Sequence, residues 1–117
     1  MSLVNRTAVS LVLVVMLVAV LGGAAQAAPA IRGIGVRWTP STVTVSHGSY
    51  VRWRGVLKFH DVVSFGRGWR FDEALPVGTV VRRRFRYPGT YRFRCTYHST
   101  VIGNTCTGMC GSVVVTY

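Results

Sequence analysis

Sixteen residues, Cys95 to Cys110, hold all three cysteines of this 117-residue chain, one of its three histidines and Met109. Cys95-x-x-His98 puts a thiolate and an imidazole at the end of one strand-like run, and Met109 precedes the last such run. A second imidazole has to come from elsewhere in the chain. His60 is the best placed, since it lies in a separate strand-like run, whereas His47 sits in a Ser-His-Gly-Ser turn and reads as a surface residue. Soft thiolate stabilises Cu(I) and shares electron density with Cu(II), imidazole suits both states, and a distant thioether tunes the potential while perturbing the geometry little. His60, Cys95, His98 and Met109 are therefore a donor set suited to one copper ion that changes charge by one. The competing use of Cys95 is a disulfide to Cys106 or Cys110, but either bridge strands one cysteine and leaves His98 without a role. An odd cysteine count is resolved by one metal thiolate.

The runs that must position these donors read as strands. Val43 and Val45 alternate with polar residues, and Tyr50-Val51-Arg52-Trp53-Arg54 alternates again before Gly55. Lys58 to Gly66, Gly78 to Gly89, Thr90 to His98 and Gly111 to Tyr117 follow, most of them ended by glycine or proline. Tyr91, Phe93 and Cys95 share one face of their run and arginines the other. Short period-two runs with this punctuation predict a single all-β domain, a sandwich or a barrel. Trp38 and Trp53 are expected in its core. Gly66 to Val77 is the least regular stretch, read as a loop or one helical turn, with Trp69 and Phe71 in it.

The first residues have another character. One charge, Arg6, precedes an apolar run from Ala8 to Leu21, and Ala25-Gln26-Ala27 has the small-x-small form of a cleavage site. These features predict a signal peptide over residues 1–27 and an exported domain over 28–117; a retained N-terminal anchor is the rival reading. Export places the protein in the periplasm, outside the cell or at its surface, where disulfides persist. Ninety residues gain a modest stability margin from their core, so a staple or bound metal adds to it.

Charge is lopsided. Without Arg6, 13 of the 14 basic residues remain against Asp61, Asp72 and Glu73, a net charge of +10, and 12 of the 13 are arginine. The arginines alternate with apolar residues instead of forming a block, so they read as the wet faces of strands, not as a nucleic-acid site.

Taken together, four segments in this order resemble the cupredoxins, the small blue-copper family of the plastocyanin type. Trp38-Thr39-Pro40 with the alternating run to Trp53 is similar to the family's opening pattern, and His60-Asp61-Val62 to its His-Asn-Val. Pro88-Gly89-Thr90-Tyr91-Arg92-Phe93-Arg94-Cys95-Thr96-Tyr97-His98 is similar to its Cys-x-x-His strand, and Gly108-Met109-Cys110-Gly111 to its methionine segment. The resemblance implies a single Greek-key β-sandwich and copper ligation by His60, Cys95, His98 and Met109, with the edge of His98 as the electron port.

Two departures stand out. Ten residues separate His98 from Met109 where such cupredoxins usually have about four, an enlarged loop that contains Cys106; a Cys106–Cys110 disulfide is expected to clamp it beside Met109. Asp61 replaces the usual Asn, which in the family resembles a strut to the cysteine segment. Asp keeps the acceptor, loses the amide donor and adds a negative charge near the metal.

The function these features imply is one-electron transfer between redox partner proteins by a monomeric carrier with no catalysis of its own. Its basic surface suits partners with acidic docking faces, and neither nucleic acid nor a membrane span of the cleaved protein is implied. Two alternatives are a copper-delivery module and a non-metal β-sandwich that binds anions. Delivery proteins bring several Met or His donors, and multicopper enzymes bring His-x-His pairs; one Met and three His after residue 27 supply neither.

Overall fold

The computed structural model describes residues 28–117, so the signal-peptide segment 1–27 lies outside the described residues. Nine strands follow in order: β1 (Ala30–Ile34), β2 (Arg37–Thr39), β3 (Thr42–Ser46), β4 (Ser49–Gly55), β5 (His60–Phe65), β6 (Asp72–Leu75), β7 (Val80–Phe85), β8 (Gly89–Ile102) and β9 (Thr105–Thr116). They form a four-stranded sheet, β2-β1-β4-β7, and a five-stranded sheet, β3-β9-β8-β5-β6. The chain crosses between sheets after β2, β3, β4, β6 and β7, which makes β1 pair in parallel with β4 and β3 with β9. This is the expected all-β sandwich.

Period-two patterning decides which side chains enter the core. Val51 and Trp53 on β4 point inward and are fully buried, while Tyr50 and Arg54 on either side of them are exposed and Arg52 between them is half-buried. On β8, Phe93 and Cys95 are fully buried, and on β9 Met109, Val113 and Val115 face the same core. Trp53 meets Phe93 edge-on at 5.3 Å between ring centroids, and Trp38 meets the same ring at 5.5 Å. Burying such rings contributes on the order of 2–3 kcal/mol each, before cavity and strain effects. Both tryptophans are thus core residues, as their runs predict. Trp69 and Phe71 are half-buried and stack on one another with an interplanar angle of 11°, packed against that core.

Two segments differ from the sequence reading. Gly66 to Val77 contains a strand, β6, whose Asp-Glu-Ala-Leu sequence has little strand propensity. Its pairing with β5, His60 against Leu75 through Val63 against Asp72, holds it as an edge strand. The stretch between His98 and Met109 is not a loop. Ser99 pairs with Gly108, Thr100 with Thr107, Val101 with Cys106 and Ile102 with Thr105, so β8 and β9 continue as a hairpin around Gly103-Asn104. Among the described residues, no helix is long and apolar enough to cross a membrane.

Candidate metal centre

The site arises from a register shift. Arg94 pairs with Cys110 but Ser99 pairs with Gly108, so β8 uses five steps where β9 uses two. The surplus residues, Cys95 to His98, bulge out of the ladder opposite Met109. A bulge of this kind bends a strand and re-aims its side chains. Here it aims Cys95 into the sandwich, fully buried, and sets His98 half-buried at the rim. Ser99 Oγ–H donates to Cys95 O and Arg94 donates to Ser99 Oγ, at 3.2 Å in the second case, which ties the bulge closed on itself.

His60, at the start of β5, completes the cluster and is fully buried. Its Nε2 lies 2.7 Å from Leu57 O. A carbonyl only accepts, so Nε2 carries the proton and Nδ1 presents a lone pair. That Nδ1 lies 3.6 Å from Cys95 Sγ, and His98 Nδ1 lies 3.5 Å from the same sulfur. Lys58 makes the Leu57 contact local: its φ of 63° turns the chain so that the carbonyl comes back under the ring. Behind the ring, Gly33 of β1 leaves no room to spare, since a Cβ there would sit 2.7 Å from His60 Cδ2.

Donor atoms of His60, Cys95 and His98 all lie within 4.8 Å of one another. Bonds of about 2.0–2.3 Å to one ion place donors roughly 3.3–4 Å apart, so the cluster has the dimensions of a metal site. Burial pulls the His60 pKa below its ordinary value and pushes the Cys95 thiol up; the Leu57 carbonyl acts against the first shift, and the backbone groups of Asp61 and Tyr97 act against the second. A neutral imidazole and a buried thiol are ready for a cation that displaces the thiol proton.

Met109 is 1 % exposed and faces the core beside the bulge. Trp38 Nε1–H donates to Met109 O at 3.1 Å, across 71 residues of sequence, and the Trp38 ring also lies 5.8 Å from the His60 ring. Gly108, at φ 93°, bends β9 just before Met109, and a Cβ there would collide with His98 O. Cys106 and Cys110 flank that bend and are joined by a disulfide, with Cα atoms 6.2 Å apart; Cys95 is the free cysteine. Asp61 holds the bulge from outside: Oδ1 accepts from Thr96 N–H at 2.6 Å, and Oδ2 accepts from Thr96 Oγ–H. Thr96 thus supplies two donors to a side chain that only accepts.

His60, Cys95 and His98 are brought together as the sequence reading expects, and His47 is exposed in its turn. Trp38 was read only as core packing. Its link to the Met109 carbonyl has no local sequence signal.

With this geometry in hand, the fold can be matched to known ones. The copper-containing nitrite reductase of Thermus scotoductus SA-01 superposes with a TM-score of 0.63 at 20 % identity, over 78 % of this chain but 23 % of that enzyme. Amicyanin from Paracoccus versutus (Thiobacillus versutus) superposes with a TM-score of 0.62 at 22 % identity, over 76 % of this chain and 81 % of that one. The reduced Cu(I) form of an amicyanin variant gives 0.63 at 22 % identity, over 79 % and 85 %. No family model matches the sequence, and no curated protein matches it. By its two sheets and their likeness to these structures, the chain has the cupredoxin fold. Within that fold it carries a His-Cys-His cluster, two members buried and His98 half-buried, with Met109 beside it, a donor set that fits one copper ion.

Proposed function

We propose that this protein is an exported type 1 copper protein that carries single electrons between partner proteins. The observation that supports this most strongly is the convergence of His60 Nδ1, Cys95 Sγ and His98 Nδ1 inside a cupredoxin fold. Copper held there supplies a one-electron couple. The chain's own groups do the rest. Leu57 O fixes the His60 tautomer, the sandwich core excludes water from Cys95, and Trp38, Gly108 and the Cys106–Cys110 disulfide fix the position of Met109. Donors held this rigidly move little when the charge of the ion changes, which keeps reorganisation small. His98 is the half-buried member of the cluster and provides the contact edge.

Redox partners with acidic surfaces suit the net charge of the domain, and their association slows as salt screens it. The reading is of a carrier without catalysis of its own: the superposition on the nitrite reductase covers less than a quarter of that enzyme's chain. Residues 28–117 function as a single domain and residues 1–27 as the export signal. Voltammetry of the copper-loaded protein tests the proposal. A reversible one-electron wave is expected, and an irreversible wave with copper released on reduction would indicate delivery instead.

A further inference from the structure

Acidic residues in this sandwich segregate by sheet. β1, β2, β4 and β7 contain no Asp or Glu, while Asp61, Asp72 and Glu73 all lie on β5 and β6 of the other sheet. On the outer face of the four-stranded sheet, Arg32 stands directly beside Arg54, Arg52 beside Arg82, and Tyr50 beside Arg84. Four of these five arginines are exposed, and Arg52 is half-buried. Like charges directly opposite one another destabilise a sheet. Among the described residues no carboxylate pairs with them: Arg52 and Arg84 donate to backbone oxygens of Ala28 and Gly48, and Arg82 and Arg84 lie over the Tyr50 ring. Arginines that alternate innocuously along each strand become, once the strands pair, one continuous cationic plane.

Two observations say what such a plane fits. Arg32 and Arg54, with Val56, line a shallow cleft in which guanidinium groups are available to an oxyanion. Planar guanidinium matches phosphate oxygens two at a time. The same sheet also receives the chain from its apolar N-terminal segment: Arg52 Nε donates to Ala28 O at 3.1 Å, and β1 starts at Ala30. The apolar residues 8–21, read from the sequence as a signal peptide or an anchor, are thus joined by a short stretch of chain to a strand of this sheet.

We propose that the outer face of the β2-β1-β4-β7 sheet is an adsorption surface for anionic phospholipid bilayers. The occupant is the lipid phosphate plane itself. The strands that carry the metal cluster, β5, β8 and β9, belong to the opposite sheet and stay free for a soluble partner. The surface is independent of whether the cluster carries electrons, since it uses none of the donors.

Residues 28–117 contain all nine strands and the described core, so a protein beginning at Ala28 tests the surface without the apolar segment. Sedimentation with phosphatidylglycerol vesicles is compared with phosphatidylcholine vesicles. Binding is expected to the former only, and to be lost near ~1 M salt, where the Debye length is about 3 Å. Each arginine at an anionic surface contributes about fivefold in affinity, so R54Q/R82Q should bind roughly 25-fold more weakly. R67Q/R70Q removes the same charge from the β5–β6 connection and should bind at least several-fold more tightly than R54Q/R82Q. Equal loss in both variants, equal binding to the two lipids, or capture by soluble polyphosphate without vesicle binding would overturn the proposal. R54Q/R82Q relieves two like-charge pairs, so its melting temperature should equal or exceed that of the parent; a lower value would also count against it.

Discussion

Replacing Asp61 by Asn isolates the effect of one charge on the metal centre. The side chains have the same shape, so Oδ1 still accepts from Thr96 N–H, and the amide can donate to Thr96 Oγ in place of the hydroxyl bond it replaces. What disappears is a negative charge one residue from His60 and hydrogen-bonded to the residue after Cys95. That charge stabilises the more positive oxidation state, so it lowers the reduction potential. For scale, any unit charge ~7 Å from another in an effective dielectric of ~20 interacts by about 2 kcal/mol. Since 59 mV corresponds to tenfold for one electron, this converts to roughly 100 mV, and solvent at the half-buried carboxylate reduces it to about 50 mV. Voltammetry of copper-loaded Asp61→Asn should therefore show a potential raised by some tens of millivolts, with an unchanged visible spectrum. An unchanged or lower potential would refute the reasoning. Asp61→Ala separates charge from support, because it also frees Thr96: its spectrum should change as well as its potential.

Cys106→Ser with Cys110→Ser opens a very small ring, which chain entropy values at up to about 2 kcal/mol; chemical denaturation should show a loss of that size or less, with an altered Cu(II) spectrum as Met109 loosens. Gly33→Ala forces a methyl against His60 Cδ2 and should lower stability by about 1–3 kcal/mol while weakening metal binding, measured by melting with and without copper. Trp38→Phe keeps an aromatic ring but removes the indole N–H and part of the buried volume, leaving Met109 O without its donor, and a loss of at least about 1–3 kcal/mol is expected in urea unfolding.

The donor set was legible because ligand chemistry restricts residue types more tightly than packing does. A thiolate and imidazole three apart at a strand end, and a methionine before the last strand, have few other joint uses. The sandwich was legible for a similar reason: Val51 and Trp53 alternate with Tyr50, Arg52 and Arg54, and only one face of such a strand can be buried. The hairpin between His98 and Met109 was misread although its signals are present. Thr100-Val101-Ile102 and Thr105-Cys106-Thr107 are β-favouring runs about a Gly-Asn pair, a two-residue hairpin signature. Reading the stretch only as a spacing between ligands concealed it. β6 was hidden because two acidic residues oppose strand propensity there, and pairing with β5 overrides them. The Trp38–Met109 link and the arginine plane depend on which strands become neighbours, and no local pattern encodes that.

Titration with Cu(II), followed by visible absorption, tests the central claim most directly. The wild-type protein should bind one equivalent and develop an intense thiolate-to-copper band near ~600 nm that ascorbate bleaches, and Cys95→Ser should lack it. A wild-type protein that stays colourless, or shows only a weak absorption that Cys95→Ser retains, would contradict the account.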